Sequence, residues 1–116
     1  MKKIFSFVII VLLLCACESK YKVISTNEAL ELIDNGAKII DVRTVEEYND
    51  GHIKGAINIP LDEIDTINYS HEQALIVYCA SGVRSLDAVK KLADMGYTNL
   101  YNLDGGLLNW GSDLEE

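Results

Sequence analysis

Short apolar runs of strand length alternate along this chain with stretches whose apolar residues recur at helical spacing. The run Ala-Leu-Ile-Val-Tyr at residues 74–78 is rich in strand-forming residues and has the length of a buried strand. The same pattern predicts an edge strand at residues 21–24, a buried strand at 38–42 and a further strand at 97–103. Residues 52–60 are predicted to form a turn that leads into a short strand, which Pro60 closes.

Helical signals fall between these runs. Ser25 and Glu28 have the spacing of a capping box, and the helix that they begin is predicted to end at Asn35-Gly36. Further helices are predicted at residues 44–50 and 85–95, with shorter helical turns around 62–64 and at 107–110. Strands that alternate with helices in this way predict an α/β fold, with a parallel sheet covered by helices on both faces.

The loop between the strand at 74–78 and the next helix holds the main candidate for chemistry. It reads Cys-Ala-Ser-Gly-Val-Arg-Ser over residues 79–85, and in open α/β sheets ligands bind at the carboxyl ends of strands. Backbone N–H groups there hold anions and favour a thiolate, which makes Cys79 a candidate nucleophile. A cysteine after a strand is, taken alone, more often a small buried hydrophobe. Gly82 and Arg84 favour the anion site, because one permits a tight turn and the other adds positive charge.

The N-terminal residues have the pattern of an export signal. Lys2 and Lys3 precede an apolar stretch at residues 4–14 that is too short to span a bilayer comfortably. The sequence Leu-Cys-Ala-Cys that follows resembles the lipobox of bacterial lipoproteins, which implies cleavage after Ala16 and acylation of Cys17. An ordinary signal peptide and an N-terminal membrane anchor are the alternatives.

The chain is therefore predicted to contain a lipoprotein signal peptide at residues 1–16, a lipidated tether at 17–22 and one compact domain at 23–113. Its 116 residues leave little room for a second domain. We expect a protein of the bacterial cell envelope, exported and anchored by lipid on the periplasmic or extracellular face of a membrane.

Acidic residues outnumber basic ones, and the formal net charge is −8. Loss of Lys2 and Lys3 with the signal would make the mature chain more acidic still. Such a surface argues against nucleic acid as a partner and against electrostatic adhesion to anionic lipid, so we expect membrane contact through the lipid anchor only. We also expect a monomer.

Cysteine usage supports a chemical role for the loop. Of the three cysteines, Cys15 would leave with the signal and Cys17 would carry lipid, so Cys79 alone would keep a free thiol. No intramolecular disulfide is then possible in the mature chain. An unpaired thiol is a liability in an oxidising compartment unless it is used, which favours a catalytic Cys79.

Three stretches, in order, resemble the signatures of the rhodanese family of sulfurtransferases. The first joins Asp-Val-Arg at 41–43 and Glu47 to Gly-His-Ile-Lys-Gly-Ala-Ile-Asn-Ile-Pro at 51–60. The second is the 79–85 loop, and the third is Asn-Leu-Asp-Gly-Gly at 102–106 with Trp110. The resemblance covers roughly residues 23–110 and implies a rhodanese-like domain, whose five-stranded, mainly parallel sheet has helices on both faces.

The resemblance implies that Cys79 attacks the outer sulfur of thiosulfate, a persulfide or a polysulfide and becomes a cysteine persulfide. That sulfur would then pass to a thiol or cyanide acceptor. Arg84 and Ser85 would orient the loop or the donor anion, and no metal or organic cofactor is implied. Backbone N–H groups of the loop would hold the small anionic donor and stabilise the persulfide, so the substrate-binding residues are predicted to be Ala80, Ser81, Gly82, Val83, Arg84 and Ser85.

Several other residues of the matching stretches are predicted to be structural. We expect an ion pair between Arg43 and Glu47 that braces the wall of the loop. His52 is predicted to fix a turn by hydrogen bonding rather than to shuttle protons. His71 is expected to be exposed, and Trp110 to pack in the core against the last strand. The residues that support the site without needing to touch substrate are thus Asp41, Arg43 and Glu47.

Details of the loop limit its chemistry. Several thiosulfate-using relatives carry a basic residue where this chain has Val83, so thiosulfate should bind weakly and a persulfide or polysulfide should serve better.

Phosphatases and arsenate reductases with a rhodanese-like fold place five residues between cysteine and arginine, whereas four separate Cys79 from Arg84. Disulfide reduction is disfavoured because no second cysteine could resolve a mixed disulfide. A persulfide carrier or binding module of the cell envelope, without turnover, stays open.

Overall fold

The structure is a computed structural model that describes residues 20–111 and 114–116. The predicted signal peptide, the lipobox and Cys17 lie outside the described residues. Within the described ranges, no helix combines the length and the apolar character needed to cross a bilayer.

The described residues form seven strands, and five of them make one sheet. The strands are β1 (Tyr21–Ile24), β2 (Lys38–Asp41), β3 (His52–Ile53), β4 (Ile57–Asn58), β5 (Leu75–Tyr78), β6 (Leu100–Leu103) and β7 (Leu114–Glu115). In the main sheet the order is β1-β6-β5-β2-β4, and every neighbouring pair is parallel. This arrangement confirms the predicted fold class, with β1 at an edge as expected.

Three α-helices and two short 3-10 helices connect these strands in the part of the chain that the structure describes. The α-helices are α1 (Thr26–Asp34), α2 (Val45–Asp50) and α3 (Val83–Asp94), and the 3-10 helices are Leu61–Thr66 and Gly106–Asn109. The predicted capping box of Ser25 and Glu28 begins α1. A second capping box, of Thr44 and Glu47, begins α2 and gives Glu47 a structural task that the sequence analysis did not foresee.

Residues 52–60 differ from the prediction of a turn and one strand. They contain two short strands, of which β4 joins the edge of the main sheet beside β2. The other, β3, leaves that sheet and pairs antiparallel with β7. This partner lies after residue 113, where the predicted domain ends, and β1 likewise begins inside the predicted tether. Short strands of this kind depend on partners that are distant in sequence, which a local pattern does not contain.

Consecutive residues of β5 and its end face opposite sides of the sheet, because side chains alternate along a strand. Val77 and Cys79 pack on the face covered by α3 and the 3-10 helix Leu61–Thr66. Tyr78 packs on the other face, with residues of α1 and with Trp110, which is buried as predicted. Helices therefore cover both faces of the sheet, and the end of β5 places Tyr78 on one face and Cys79 on the other.

Candidate active site

The candidate nucleophile lies where β5 ends and the loop to α3 begins. Cys79 is a free cysteine with only 1% of its surface exposed. The helix begins at Val83, two residues earlier than predicted, so Val83 and Arg84 already belong to its first turn. Gly82 precedes the helix in the left-handed region, at φ 101°, where any residue with a Cβ would be strained.

The 3-10 helix at Gly106–Asn109 holds the carbonyl side of the loop. The amides of Leu107 and Leu108 donate to the carbonyl oxygens of Cys79 and Ala80, at 2.9 and 3.1 Å. A Cβ on Gly106 would lie 2.3 Å from the Cys79 carbonyl oxygen, so only glycine permits this approach. These contacts hold the start of the loop against the 3-10 helix.

Donors of the loop and of α3 converge on the Cys79 sulfur. The Gly82 and Ser85 amides donate to Sγ at 3.1 and 3.4 Å, and the thiol in turn donates to the Ser85 hydroxyl oxygen at 3.5 Å. Burial by itself would raise the pKa of the Cys79 thiol, but the hydrogen bond with the Ser85 hydroxyl and those from the amides of Ser85, Gly82 and Ser81 outweigh it and lower the pKa. The site thus favours a thiolate, as the sequence pattern predicted.

Asn102 belongs to this group of residues and was not predicted as a site residue. The buried Ser85 hydroxyl donates to Asn102 Oδ1 at 2.6 Å, and Asn102 Nδ2 lies 3.4 Å from the Gly82 carbonyl oxygen. We call Cys79, Ser85 and Asn102 the Cys79 cluster. The available signal was the position of Asn102 at the end of the last predicted strand, within a stretch that matched the rhodanese family.

The predicted ion pair between Arg43 and Glu47 is wrong, because each residue has another partner. Arg84 binds Glu47 through both terminal guanidinium nitrogens, with Nη1–Oε1 at 2.7 Å and Nη2–Oε2 at 3.0 Å. Both side chains are about one-third exposed, 38% for Arg84 and 35% for Glu47. The hydrogen bond from Arg84, reinforced by Thr44, lowers the pKa of Glu47 from 4.5 to about 2.

Arg43 instead turns into the protein, toward the residue two positions before it. Its Nε and Nη2 atoms donate to the Asp41 carboxylate at 2.8–3.1 Å, and Nη2 also donates to the Gly51 carbonyl oxygen at 2.7 Å. The Tyr78 hydroxyl donates to Asp41 Oδ2 at 2.7 Å and accepts from the Ile53 amide at 3.1 Å. We call Asp41, Arg43 and Tyr78 the Asp41 cluster. It ties β2, β5 and β3 together, and none of these hydrogen bonds involves the Cys79 sulfur.

The remaining residues singled out in the sequence differ in their exposure and contacts. Ser81 is exposed and Ala80 partly buried in the loop, and Val83 is 73% exposed beside them. His52 contacts the Tyr48 carbonyl oxygen through Nδ1 at 2.8 Å and stacks on the Tyr48 ring, in agreement with a structural role. His71 is exposed, as expected. In the described part of the chain, no three His, Cys, Asp or Glu side chains cluster as metal ligands would.

Comparisons with known proteins agree with this architecture. The family model of the rhodanese-like domain matches residues 25–113. The chain is 37% identical to a protein named thiosulfate sulfurtransferase GlpE of Ectopseudomonas mendocina, over 79% of this chain and 86% of that protein. It is also 37% identical to rhodanese-like domain-containing protein 17 of Arabidopsis thaliana, over 80% of this chain and 70% of that one.

A solved structure extends the agreement from sequence to fold. The crystal structure of a rhodanese-like domain protein from Staphylococcus aureus superimposes with a TM-score of 0.72 at 36% identity. The match covers 81% of this chain and 96% of that one. The fold, the cysteine loop and the sequence relatives lead to one assignment: this chain belongs to the rhodanese-like domain family.

Proposed function

We propose that this protein is a sulfurtransferase, which moves a sulfane sulfur from an anionic donor to a thiol or cyanide through a persulfide on Cys79. The observation that carries the proposal is the convergence of the Gly82 and Ser85 amides, which donate to Sγ at 3.1 and 3.4 Å. Donors in this position stabilise negative charge on sulfur, both on the thiolate and on the persulfide that replaces it. Relatives named thiosulfate sulfurtransferase, at 30–37% identity, support the same class.

The reaction needs two transfers of one sulfur atom. The Cys79 thiolate attacks the outer sulfur of the donor, so that a bond forms between Sγ and that sulfur while the bond to the rest of the donor breaks. The electron pair of the broken bond leaves with the donor remnant, which is sulfite if the donor is thiosulfate. An acceptor thiolate or cyanide then takes the outer sulfur and returns Cys79 to its thiolate.

Intact-mass spectrometry after incubation with thiosulfate or a polysulfide tests this proposal. We expect a gain of one sulfur atom that maps to the peptide containing Cys79 and is reversed by cyanide or a thiol. Cys79→Ser should gain none, although its fold should be unchanged because serine is close to cysteine in size. A folded wild-type protein with a titratable Cys79 and no adduct from any donor would overturn the proposal.

Turnover distinguishes an enzyme from a carrier. A sulfurtransferase should form many equivalents of thiocyanate per equivalent of protein when donor and cyanide are both in excess. A carrier should release at most one equivalent and then stop, because its donor would have to be a specific partner protein. The second outcome would support the alternative of a persulfide carrier or binding module of the cell envelope.

We further propose that Cys17 is acylated and anchors the protein in the cell envelope. The support is the sequence alone: two lysines, an apolar stretch and Leu-Cys-Ala-Cys at residues 14–17. The start of β1 at Tyr21 lies at the amino edge of the parallel sheet, opposite the edge that carries Cys79. An anchor there would leave the Cys79 loop facing away from the membrane. Mass spectrometry of the N-terminal peptide, with Cys17→Ser as control, tests the modification.

A further inference from the structure

The positive charge of the active loop is already paired. Arg84 follows the loop directly, and both of its terminal nitrogens bind the two carboxylate oxygens of Glu47. Such a two-point contact uses the edge of the guanidinium group that would otherwise donate to two oxygens of an anionic sulfur donor. Among the described residues, Glu47 is the only carboxylate within 4.0 Å of Arg84.

Glu47 is fixed in this position by a second contact. Its Oε1 atom also accepts from the Thr44 amide and hydroxyl, at 3.2 and 3.1 Å, as part of the capping box that begins α2. The low pKa of Glu47, about 2, keeps the carboxylate charged throughout the neutral pH range. The Glu47–Arg84 pair is therefore held in place by several hydrogen bonds, and its net charge is zero.

Neither the second arginine nor position 83 adds positive charge at the loop. The second arginine, Arg43, is buried and donates to Asp41 and Gly51 on the far side of the sheet end. Position 83, which is exposed beside the loop, is valine. A donor that approaches Cys79 thus meets amide dipoles and a neutral ion pair, and the thiolate adds a negative charge.

We propose that Glu47 is a specificity-determining residue, which neutralises Arg84 and thereby selects sulfane sulfur donors with one negative charge, such as alkyl persulfides and thiosulfonates, over the thiosulfate dianion. This inference rests on the proposed sulfurtransferase function and names its donor class. A second negative charge on the donor would be repelled by the thiolate and would find no unpaired cation at Arg84 to compensate it. A single negative charge on the donor needs only the hydrogen bonds that the loop amides can donate.

Thiosulfate and methanethiosulfonate are a matched pair of probes, because a methyl group replaces one charged oxygen of otherwise similar anions. With both, Cys79 Sγ bonds to the outer sulfur while the bond from that sulfur to the sulfonyl sulfur breaks. The electron pair leaves with sulfite in one case and with methanesulfinate in the other. Their ratio of kcat/KM therefore measures the preference for charge at constant chemistry.

The variant Glu47→Gln tests the inference in the full-length protein. Glutamine keeps an oxygen for the capping box but removes the charge, and so releases Arg84. We expect the kcat/KM ratio of thiosulfate to methanethiosulfonate to rise about tenfold or more, the scale of one charge-assisted hydrogen bond. Arg84→Gln should move the ratio in the opposite direction, because it leaves the Glu47 charge unpaired.

Glu46→Gln is the matched control, since it removes the same charge from the neighbouring exposed position of α2. Its ratio should equal that of the wild type. An unchanged ratio in folded Glu47→Gln, or a wild type that prefers thiosulfate, would overturn the donor class while leaving the sulfurtransferase function intact. Failure of Cys79 to accept sulfur from either probe would overturn the proposed function itself.

Discussion

Two buried polar clusters lie at the same edge of the sheet and are built on opposite principles. The Asp41 cluster is closed: the carboxylate accepts from the Arg43 amide and guanidinium and from the Tyr78 hydroxyl, so charge is matched by charge. The Cys79 cluster contains no cationic side chain: its sulfur accepts from the Gly82 and Ser85 amides and contacts the Ser85 hydroxyl oxygen at 3.5 Å. Tyr78 and Cys79, adjacent in sequence, serve the two clusters on opposite faces of the sheet.

The difference explains how a small domain can hold a reactive thiol without losing its shape. Ion pairing in the Asp41 cluster fixes β2, β5 and β3 relative to one another, but it offers no atom for chemistry. Dipoles in the Cys79 cluster stabilise a negative charge without neutralising it, so the sulfur stays nucleophilic. Substitutions in the first should therefore change stability, and substitutions in the second should change rate and pH dependence.

Loss of Arg43 should give the largest change in stability. Arg43→Met leaves the buried Asp41 carboxylate without its cation, which we expect to cost about 3–5 kcal/mol in the free energy of unfolding. Arg84→Met removes an arginine from a partly exposed pair and should cost less than about 1 kcal/mol. Urea denaturation of both variants measures this difference. Equal losses in the free energy of unfolding would contradict the idea that only Arg43 stabilises a buried carboxylate.

Removal of the Ser85 hydroxyl should change the chemistry more than the fold. We expect Ser85→Ala to slow sulfur loading of Cys79 about 10- to 100-fold at neutral pH, the value of one hydrogen bond to a charged group. Because that bond lowers the pKa of Cys79, its loss should raise the pKa and move the rising limb of the rate profile to higher pH. Stopped-flow or alkylation rates across pH measure both effects. A limb at the wild-type position would exclude Ser85 as a source of the lowered pKa.

Removal of the Tyr78 hydroxyl, within the Asp41 cluster, should change the stability and leave the chemistry unchanged. Tyr78→Phe removes one donor to Asp41 and the acceptor of the Ile53 amide, at a cost of about 1–3 kcal/mol. The rate of sulfur loading and its pH dependence should match the wild type, although Tyr78 is bonded directly to Cys79 in sequence. A shifted pH profile in this variant would mean that the two clusters are coupled across the sheet.

Acid should weaken the Glu47–Arg84 contact, with the smallest effect of the four. The pKa of Glu47 is lowered from 4.5 to about 2, so the stability it contributes is complete above 4.5 and is lost as pH falls toward 2. Glu47→Gln should therefore flatten the pH dependence of the unfolding free energy in that range, by a small amount because the pair is partly exposed. The Glu46→Gln control should retain the wild-type slope.

Local and periodic signals predicted the fold class and the place of the candidate nucleophile, Cys79, at the end of β5. The apolar run of β5, the helical spacing of α3 and the glycine before it predicted a strand, a tight turn and a helix in that order, and the structure has this order. The thiol at the strand end, and the direction of its pKa shift, follow from that order because the amides of a helix N-terminus must face it.

Tertiary structure alone decided which polar groups meet. Glu47 and Arg84 are 37 residues apart, and Ser85 and Asn102 are 17 apart, so no local pattern distinguishes these pairs from the wrong pair of Arg43 with Glu47. Arg43 takes the carboxylate two residues before it because both side chains are enclosed at the end of β2, while Glu47 stays on the surface of α2. Sequence periodicity specifies the face on which a residue lies, whereas the choice among nearby charges depends on distances that only packing sets.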